Sequence, residues 1–559
     1  MRVLWLIFLF VGFATSVQAE LVTPAAASAG GIFAQGSAVS KDEKVELSWS
    51  FAAGVAESGA VAGVRIHRLL DGDRIRYRVN PLALVEDAGE KTKLKVSGLD
   101  NGSRVIFVAS AYDSADKIVG QMLFFGFPGS RAKDVPPKVK NLYAASGHNA
   151  ISVFWDRLEQ VNIAGYEVLR RRVDETVFTK LGRMNKVAYV DGKTIGAPLN
   201  AQLPEVQPGI FRDRMALPGL SYVYQVRAFD TDGKLGPGMD TEPVSLDSDR
   251  SPLPEEVLLL TRWDSSDSKK VARHYAARRG VPEKNILELS FFKGKKYRNS
   301  QILEDVREHL LDNGLAGKIR VIVPSFNMPL RDSAESLDSR LVDLFDRYTW
   351  GRVMGTPNPV FGQNAHHDPS LGLYLVSRLD GPTPEIAMSL VDKALEAEQG
   401  VTARSGAAFF SNPDFKKECL KAAERHGVKV HSKDTSFTKE NTIPDDTLWF
   451  FGSGHPYRHI RITPWPVGAV AGFLKSDTLT QLADKEAHFW VQGLLEEGVT
   501  ATYGAVFEPY VQGYTRGDVL LDRFWTGRYT FAEAFAMATP TVRWAMCAVG
   551  DPLYKLKSE

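Results

Sequence analysis

Val257-Leu258-Leu259-Leu260-Thr261, followed by the stretch from Ser265 to Gly280, decides the fold of the larger part of this chain. Four apolar residues in a row describe a strand buried on both faces, unlike the half-solvated strands upstream of it. The stretch from Ser265 to Gly280 reads as a helix that places Val271, Ala272, Tyr275 and Ala276 on one face. The alternation continues with a strand at Ile286 to Ser290, a helix at Ser300 to Leu311, and strands at Ile319 to Pro324 and Leu371 to Val376. Thr383-Pro384-Glu385 then opens a helix with a capping residue, a proline at its first position and an acid in its first turn. Its apolar stripe is Ala387, Leu390, Val391, Ala394 and Leu395. Ala407 to Phe410, Leu448 to Phe451, Thr500 to Val506 and Ala545 to Val549 supply further strands. Buried strands alternating with amphipathic helices predict an α/β domain over residues 253–559, with a mostly parallel sheet covered on both sides.

Upstream the period changes. Val45 to Trp49, Val64 to Leu69 and Val105 to Tyr112 alternate apolar and polar residues in short runs bounded by turn signals. The series recurs about a hundred residues later, in Ala150 to Trp155, Gly165 to Arg171 and Tyr222 to Asp230, with Trp49 and Trp155 in equivalent places. Two tandem all-β sandwiches are expected, over residues 41–133 and 134–246. Residues 20–40, rich in Ala, Ser and Gly, read as a flexible leader, and Asp247 to Pro254 as a linker into the α/β domain.

Residues 1–19 read as a cleaved secretory signal. Arg2 precedes an apolar run from Val3 to Phe13, and Val17-Gln18-Ala19 places small residues before a cut after Ala19. That run is too short to span a bilayer, and no later stretch of that character is long enough. A secreted or periplasmic protein of the cell envelope is expected, with no transmembrane segment after signal cleavage. With 68 Lys and Arg against 67 Asp and Glu, no bulk positive field exists to attract a polyanion, which argues against nucleic acid as a partner. Only Cys419 and Cys547 are present, so at most one disulfide could form.

Ligands of open α/β sheets bind beyond the carboxyl ends of the strands, which gives priority to residues just after strands. Arg331 and Asp338 follow the third strand, Arg378 and Asp380 the fourth, Ser453-Gly454-His455 the strand at 448–451, and Glu508-Pro509-Tyr510 the strand at 500–506. His455, between glycine and Pro456, is the candidate general base, with Glu508 as a second catalytic candidate. Arg331, Asp338, Arg378, Asp380, Ser453 and Tyr510 are candidates for ligand binding. The arginine–carboxylate neighbours read equally well as ion pairs at loop rims, where each contributes about 0–1 kcal/mol. Asp551 in Gly550-Asp551-Pro552 reads as turn chemistry ending a strand. His366-His367-Asp368 lacks the spacing of a compact zinc site and reads as a solvated loop. Neither a phosphate-binding loop, a dinucleotide fingerprint nor a Gly-x-Ser-x-Gly elbow occurs, so no cofactor and no metal are expected.

The sandwiches resemble fibronectin type III modules. In the second, Leu217-Pro218-Gly219 followed by Tyr222 is similar to that family's tyrosine corner; in the first, Leu99-Asp100-Asn101-Gly102 leads to Val105 and the tyrosine is missing. The second also carries an insertion at about 185–215. The blocks Ala272 to Ala276, Arg279 to Pro282, Val323 to Leu330, Leu373 to Pro382, Glu508 to Tyr510 and Gly550 to Tyr554 resemble a family of exported bacterial proteins of uncharacterised activity. That family occurs in genomes carrying the exosortase protein-sorting system, and the resemblance implies an envelope context. Leu448 to His455 and the closing Gly550-Asp551-Pro552 are more distantly similar to gingipain and caspase-type cysteine peptidases, in which the strand after the histidine ends in the nucleophilic cysteine. Here Val467 to Thr480 holds no cysteine, and Cys547 sits inside an apolar strand. The expectation is a binding or accessory protein on a peptidase-like α/β scaffold without its nucleophile. Its partner would be an envelope protein, a peptide or a polysaccharide. The alternative is a peptidase- or esterase-like hydrolase in which His455 acts on water, Ser453 or Ser476, oriented by Glu508 or Asp380.

Overall fold

The computed structural model describes residues 31–69, 82–185, 193–195, 209–290, 299–331, 334–348, 356–411, 415–431, 443–453, 464–480, 482 and 490–558. The signal and its cleavage site lie outside these residues, as do Gly454, His455 and Asp332. Among the described residues no helix is long and apolar enough to cross a membrane.

The first sandwich is built from β1 (Phe33–Lys41), β2 (Lys44–Phe51), β3 (Gly63–Leu69), β4 (Leu82–Gly89), β5 (Lys93–Ser97), β6 (Val105–Tyr112) and β7 (Ile118–Gly126). The second contains β8 (Lys140–Ser146), β9 (Ile151–Asp156), β10 (Ile163–Arg172), β11 (Thr179–Asn185), β13 (Gly209–Asp213), β14 (Ser221–Asp230), β15 (Met239–Asp240) and β16 (Val244–Ser245), while β12 (Lys193–Ile195), between β11 and β13 in the chain, joins the first sandwich's sheet. The first faces β1-β2-β5 against β4-β3-β6-β7, and the second faces β13-β9-β8 against β11-β10-β14-β15. This is the antiparallel, immunoglobulin-like arrangement that the period-2 pattern predicts, with Trp49 and Trp155 buried in the two cores. The Tyr222 hydroxyl accepts a hydrogen bond from the Leu217 amide at 3.0 Å, forming the expected corner. In the first sandwich Asn101 takes over that task. Its side chain accepts from the Glu43 amide at 2.9 Å and donates to Asp42 at 2.8 Å.

One expectation for this region needs correcting. Residues 33–40 are not a flexible leader: they form most of β1, paired with β2 along its length. Their small side chains signal close packing instead. Ala38 is buried, a Cβ on Gly36 would collide with Met122 and Phe124, and the Ser40 hydroxyl accepts from the Phe127 amide. The insertion after β11 supplies β12, which pairs antiparallel with β1 and belongs to the first compact unit.

Glu167 on β10 is buried beneath Lys180, Arg183 and Arg227 from the neighbouring strands. Burial pushes its pKa up, but the three cations outweigh that and hold it at about 2. A lowered pKa contributes stability that is fully present above the unfolded value near 4.5 and fades as pH falls through 2. Glu167→Gln is therefore expected to flatten the acid limb of the stability–pH profile between those values. Denaturant unfolding across that range reads the effect.

The α/β domain and the second sandwich form one compact unit. Its elements are β17 (Val257–Arg262), α1 (Ser266–Arg279), β18 (Ile286–Leu289), α2 (Asn299–Asp312), β19 (Val321–Pro324), α3 (Leu337–Val342), β20 (Leu375–Val376), α4 (Pro384–Glu398) and β21 (Ala407–Phe410). Then follow α5 (Lys416–His426), β22 (Thr447–Ser453), β23 (Val470–Leu474), α6 (Trp490–Glu496), β24 (Ala501–Ala505), α7 (Tyr510–Gly513), α8 (Gly517–Phe524), α9 (Phe531–Ala538) and β25 (Met546–Val549). Ser265 and Thr383 cap α1 and α4 through their side chains, and Gly280 ends α1 with φ 76°, where a side chain would be strained. Alternate residues of β17 feed two cores. Val257 and Leu259 pack toward α1 and α4, while Leu258 and Leu260 pack toward α2 and α3.

The strands run in the orders β18-β17-β19-β20 and β21-β22-β23-β24-β25. A parallel bridge between Arg378 and Val549 joins the two sets. All pairs are parallel except β24 with β25. Because β25 runs with β20 and against β24, the strands β17–β20 point one way and β21–β24 the other. Their carboxyl ends therefore lie at opposite edges of the sheet.

The seam between the second sandwich and the α/β domain is charged and aromatic. Arg320, almost fully buried, pairs with Asp247 and with Glu256, and Arg250 reaches the same two carboxylates. The linker is thus pinned at both ends. Tyr143 packs against Phe154 and Phe345, and Gly372 admits the Phe154 ring at a place where a Cβ would come within 2.9 Å of it.

Candidate functional site

The opposed strand directions separate the residues that sequence reasoning grouped together. Arg378 and Asp380 follow β20 at one edge; Ser453, Ser476 and Glu508 follow β22, β23 and β24 at the other.

Arg378, Asp338 and Asp380 make a closed network. The Arg378 guanidinium donates to both oxygens of Asp338 at 3.0 and 2.7 Å, to Asp380 at 2.8 Å and to the Pro329 carbonyl at 3.1 Å. Arg378 is 0% exposed and Asp338 and Asp380 are buried with it. Asp380 also accepts from the amides of Asn327 and Gly381. Burial pushes the Asp380 pKa up against the opposing pull of Arg378, and the carboxylates beside Arg378 hold its guanidinium firmly charged. The ion pair exists, but it is interior and not at a loop rim. Buried together, these three residues join the two strand sets.

At the opposite edge lie Ser453, Ser476 and Glu508. Ser453 ends β22 in register with Leu474 of β23, two residues before Ser476. The Ser476 hydroxyl donates to Glu508, whose other oxygen accepts from the Tyr510 amide at 2.8 Å. The carboxylate after β24 is thus oriented by two donors. Tyr510 has φ 50°, a left-handed conformation that costs a non-glycine residue about 1–2 kcal/mol. It holds the ring edge-on to Trp544 with centroids 5.9 Å apart while leaving the side chain 57% exposed. Val511 and Phe507 are exposed beside it in sequence, and the Arg331 guanidinium stacks over Phe507 at 5.3 Å. Of the predicted residues, Arg331, Ser453, Glu508 and Tyr510 therefore belong to this edge. Phe507 and Val511 went unremarked in the sequence, although apolar side chains flanking Glu508-Pro509-Tyr510 immediately after a buried strand were the available signal.

Both thiols are free and interior. Cys419 on α5 is 1% exposed and Cys547 on β25 is 0% exposed. Burial first, and then a nearby aspartate in each case (Asp518 for Cys419, Asp338 for Cys547), pushes both well above the usual thiol range. A thiolate nucleophile needs the opposite environment.

Asp551 does more than close a turn. It accepts from the Leu553 amide at 2.9 Å, as a turn residue would, and also pairs with Arg279 at 2.6 Å and with the Tyr275 hydroxyl at 3.2 Å. His366, His367 and Asp368 are not a solvated loop. His366 pairs with Glu533 at 3.1 Å, His367 Nε2 lies 2.9 Å from the Leu373 carbonyl, and Asp368 pairs with Arg212 of β13 at 2.7 Å. The run serves the seam, each side chain toward a different partner.

No family model matches the chain, and no curated protein matches it in sequence. Among solved structures it is similar to a two-domain fibronectin type III segment of chicken tenascin, at 9% identity and a TM-score of 0.16, over 38% of this chain and 98% of that one. It is also similar to the FN1–FN3 domains of chicken CNTN1, at 11% identity and a TM-score of 0.15, over 38% of this chain and 66% of that one. A third likeness is to the twitchin kinase region from C. elegans, at 12% identity and a TM-score of 0.15, over 20% of this chain and 17% of that one. The immunoglobulin-like reading of the two sandwiches rests on their strand order and on the Tyr222 corner, not on these likenesses.

Proposed function

We propose that the chain is an exported cell-envelope protein that binds a polypeptide partner at the β22–β24 edge of a caspase- or gingipain-like α/β scaffold, without thiol catalysis. The observation that carries this reading is the burial of both cysteines while the same domain leaves Phe507, Tyr510 and Val511 exposed around an oriented carboxylate. Contiguous exposed apolar side chains rimmed by charge mark interaction sites, and Arg331 and Glu508 supply such a rim. The fibronectin type III-like sandwiches act as spacers, the second being fixed to the α/β domain by its charged seam. The test is a peptide array probed with the full chain. The double variant Phe507→Ala/Tyr510→Ala is expected to lose at least roughly tenfold in affinity for the best peptides, about 1.4 kcal/mol, with its unfolding midpoint unchanged. Binding that is indifferent to both substitutions would overturn the assignment.

One observation favours the hydrolase reading: Ser476 donates its proton directly to Glu508, beside the strand that leads to His455. In that reading Ser476 or a water is the nucleophile and His455 or Glu508 the base. Ester turnover lost in both Ser476→Ala and His455→Ala would select it.

A further inference from the structure

One end of the second sandwich carries aliphatic side chains where turns ordinarily place small or polar ones. Arg172 closes β10 opposite Tyr222 of β14, and β13 reaches β14 through residues 214–220, so the β10–β11 and β13–β14 loops leave the same end. The Val173 amide donates to the Ser221 carbonyl at 3.1 Å and Arg170 pairs with Asp213 at 2.6 Å, which ties the two loops together. On these loops Met215 is 75% and Val177 74% exposed, and Val173 and Leu217 are exposed as well. The walls of a groove shield the side chains that line it, so exposure of that size means that these project. The neighbouring cavity bounded by Arg212 and Arg214 takes none of the four. Nor does the sandwich core use them: Ala216 is the buried residue of its loop, and Leu217 contributes only its amide to the Tyr222 hydroxyl.

The charge around this tip is positive. Residues 170–180 and 212–220 hold six Lys and Arg against three Asp and Glu. Asp213 is taken by Arg170, and Asp174 and Glu175 by Arg172. Lys180 and Arg212 pair outside the loops, with Glu167 and Asp368. Arg171 donates to the carbonyls of Arg172 and Glu175 and stacks over Phe178. Among the described residues neither Arg171 nor the exposed Arg214 has a carboxylate partner. Projecting aliphatic side chains beside two such cations match an anionic bilayer. Hydrocarbon accepts a convex apolar tip without a complementary surface, and lipid phosphate attracts the arginines. A protein partner of ordinary stability would need about 800 Å² on this side, more than four aliphatic side chains offer.

We propose that the β10–β11 and β13–β14 loops insert Val173, Val177, Met215 and Leu217 into the interface of an anionic lipid bilayer, with Arg171 and Arg214 at the phosphates. The proposal does not rest on the peptide-binding reading and concerns a separate surface. Co-sedimentation with vesicles tests it, using the chain from Glu20 onward so that the apolar run from Val3 to Phe13 adds no affinity. Vesicles of phosphatidylglycerol and phosphatidylcholine in equal parts are expected to bind the chain, and phosphatidylcholine alone to bind it at least roughly tenfold more weakly. Met215→Ser/Leu217→Ser is expected to weaken binding to the anionic vesicles by at least roughly tenfold, and Arg214→Gln by about fivefold. All three positions are exposed, so the unfolding midpoints should not move. No sedimentation with anionic vesicles would overturn the proposal, as would equal binding to both vesicle types or binding unchanged in Met215→Ser/Leu217→Ser. Self-association of the wild type that the double variant loses, with no vesicle bound, would overturn it in favour of a second copy of the chain.

Discussion

Arg378→Met is expected to destabilise the α/β unit by about 3–5 kcal/mol, the largest effect of any single substitution outside the apolar cores. The guanidinium is the shared cation of Asp338 and Asp380, and all three are removed from water. Methionine fills much of the same volume but leaves two carboxylates facing each other in the interior. The loss should shrink on acidification. Unpaired buried carboxylates have raised pKa values, so the variant is most stable below the unfolded value near 4 and loses that stability as pH rises through the folded value. Asp380→Asn should cost less than Arg378→Met, because Arg378 keeps its two bonds to Asp338. Denaturant unfolding of the three proteins at two pH values measures all of this. An Arg378→Met chain as stable as wild type at neutral pH would contradict the assignment of this triad to the core.

The second large effect is expected at Asp551→Ala, at about 3 kcal/mol, from the loss of charge-assisted bonds at a fully buried site. Asp551 ties the chain after β25 to Arg279 and Tyr275 on α1. The cost stays below that of Arg378→Met because Glu398 still pairs with Arg279 through two bonds of 2.9 and 2.6 Å, so no charge is stranded. Loosening should begin at the C-terminal segment, where the Leu553 amide loses its bond to the Asp551 carboxylate next to Tyr554, whose hydroxyl donates to the Gly468 carbonyl. Hydrogen exchange of residues 551–556 would register it before global unfolding. Unchanged protection there would show that Asp551 only closes a turn.

Which features were legible in the sequence follows from how local their causes are. The sandwiches were readable because period-2 alternation and the Leu217-to-Tyr222 corner are local patterns, and α1 and α4 because their periodicity, and for α4 its capping signature, sit within a few residues. Strand β1 was missed because Ala, Ser and Gly mean flexibility in a linker and close packing in a strand, and only the partners Met122 and Phe124 distinguish the two. The fate of Arg378 and Asp380 depended on the direction of β25, a long-range property that no window of sequence contains. Once β25 reverses against β24, residues that each follow a strand end at opposite edges. Of the residues picked by the post-strand rule, Tyr510 is exposed after β24, whereas Asp338 is buried.

Binding without thiol chemistry is tested most directly by turnover. A broad peptide and ester library is incubated with the full chain, with His455→Ala and with the double variant Cys419→Ser/Cys547→Ser, each checked for folding by its unfolding midpoint. No peptide cleavage that depends on either cysteine is expected. Peptide cleavage by the wild type that disappears in a folded Cys419→Ser/Cys547→Ser chain would contradict this, because a buried thiol would then be reaching substrate.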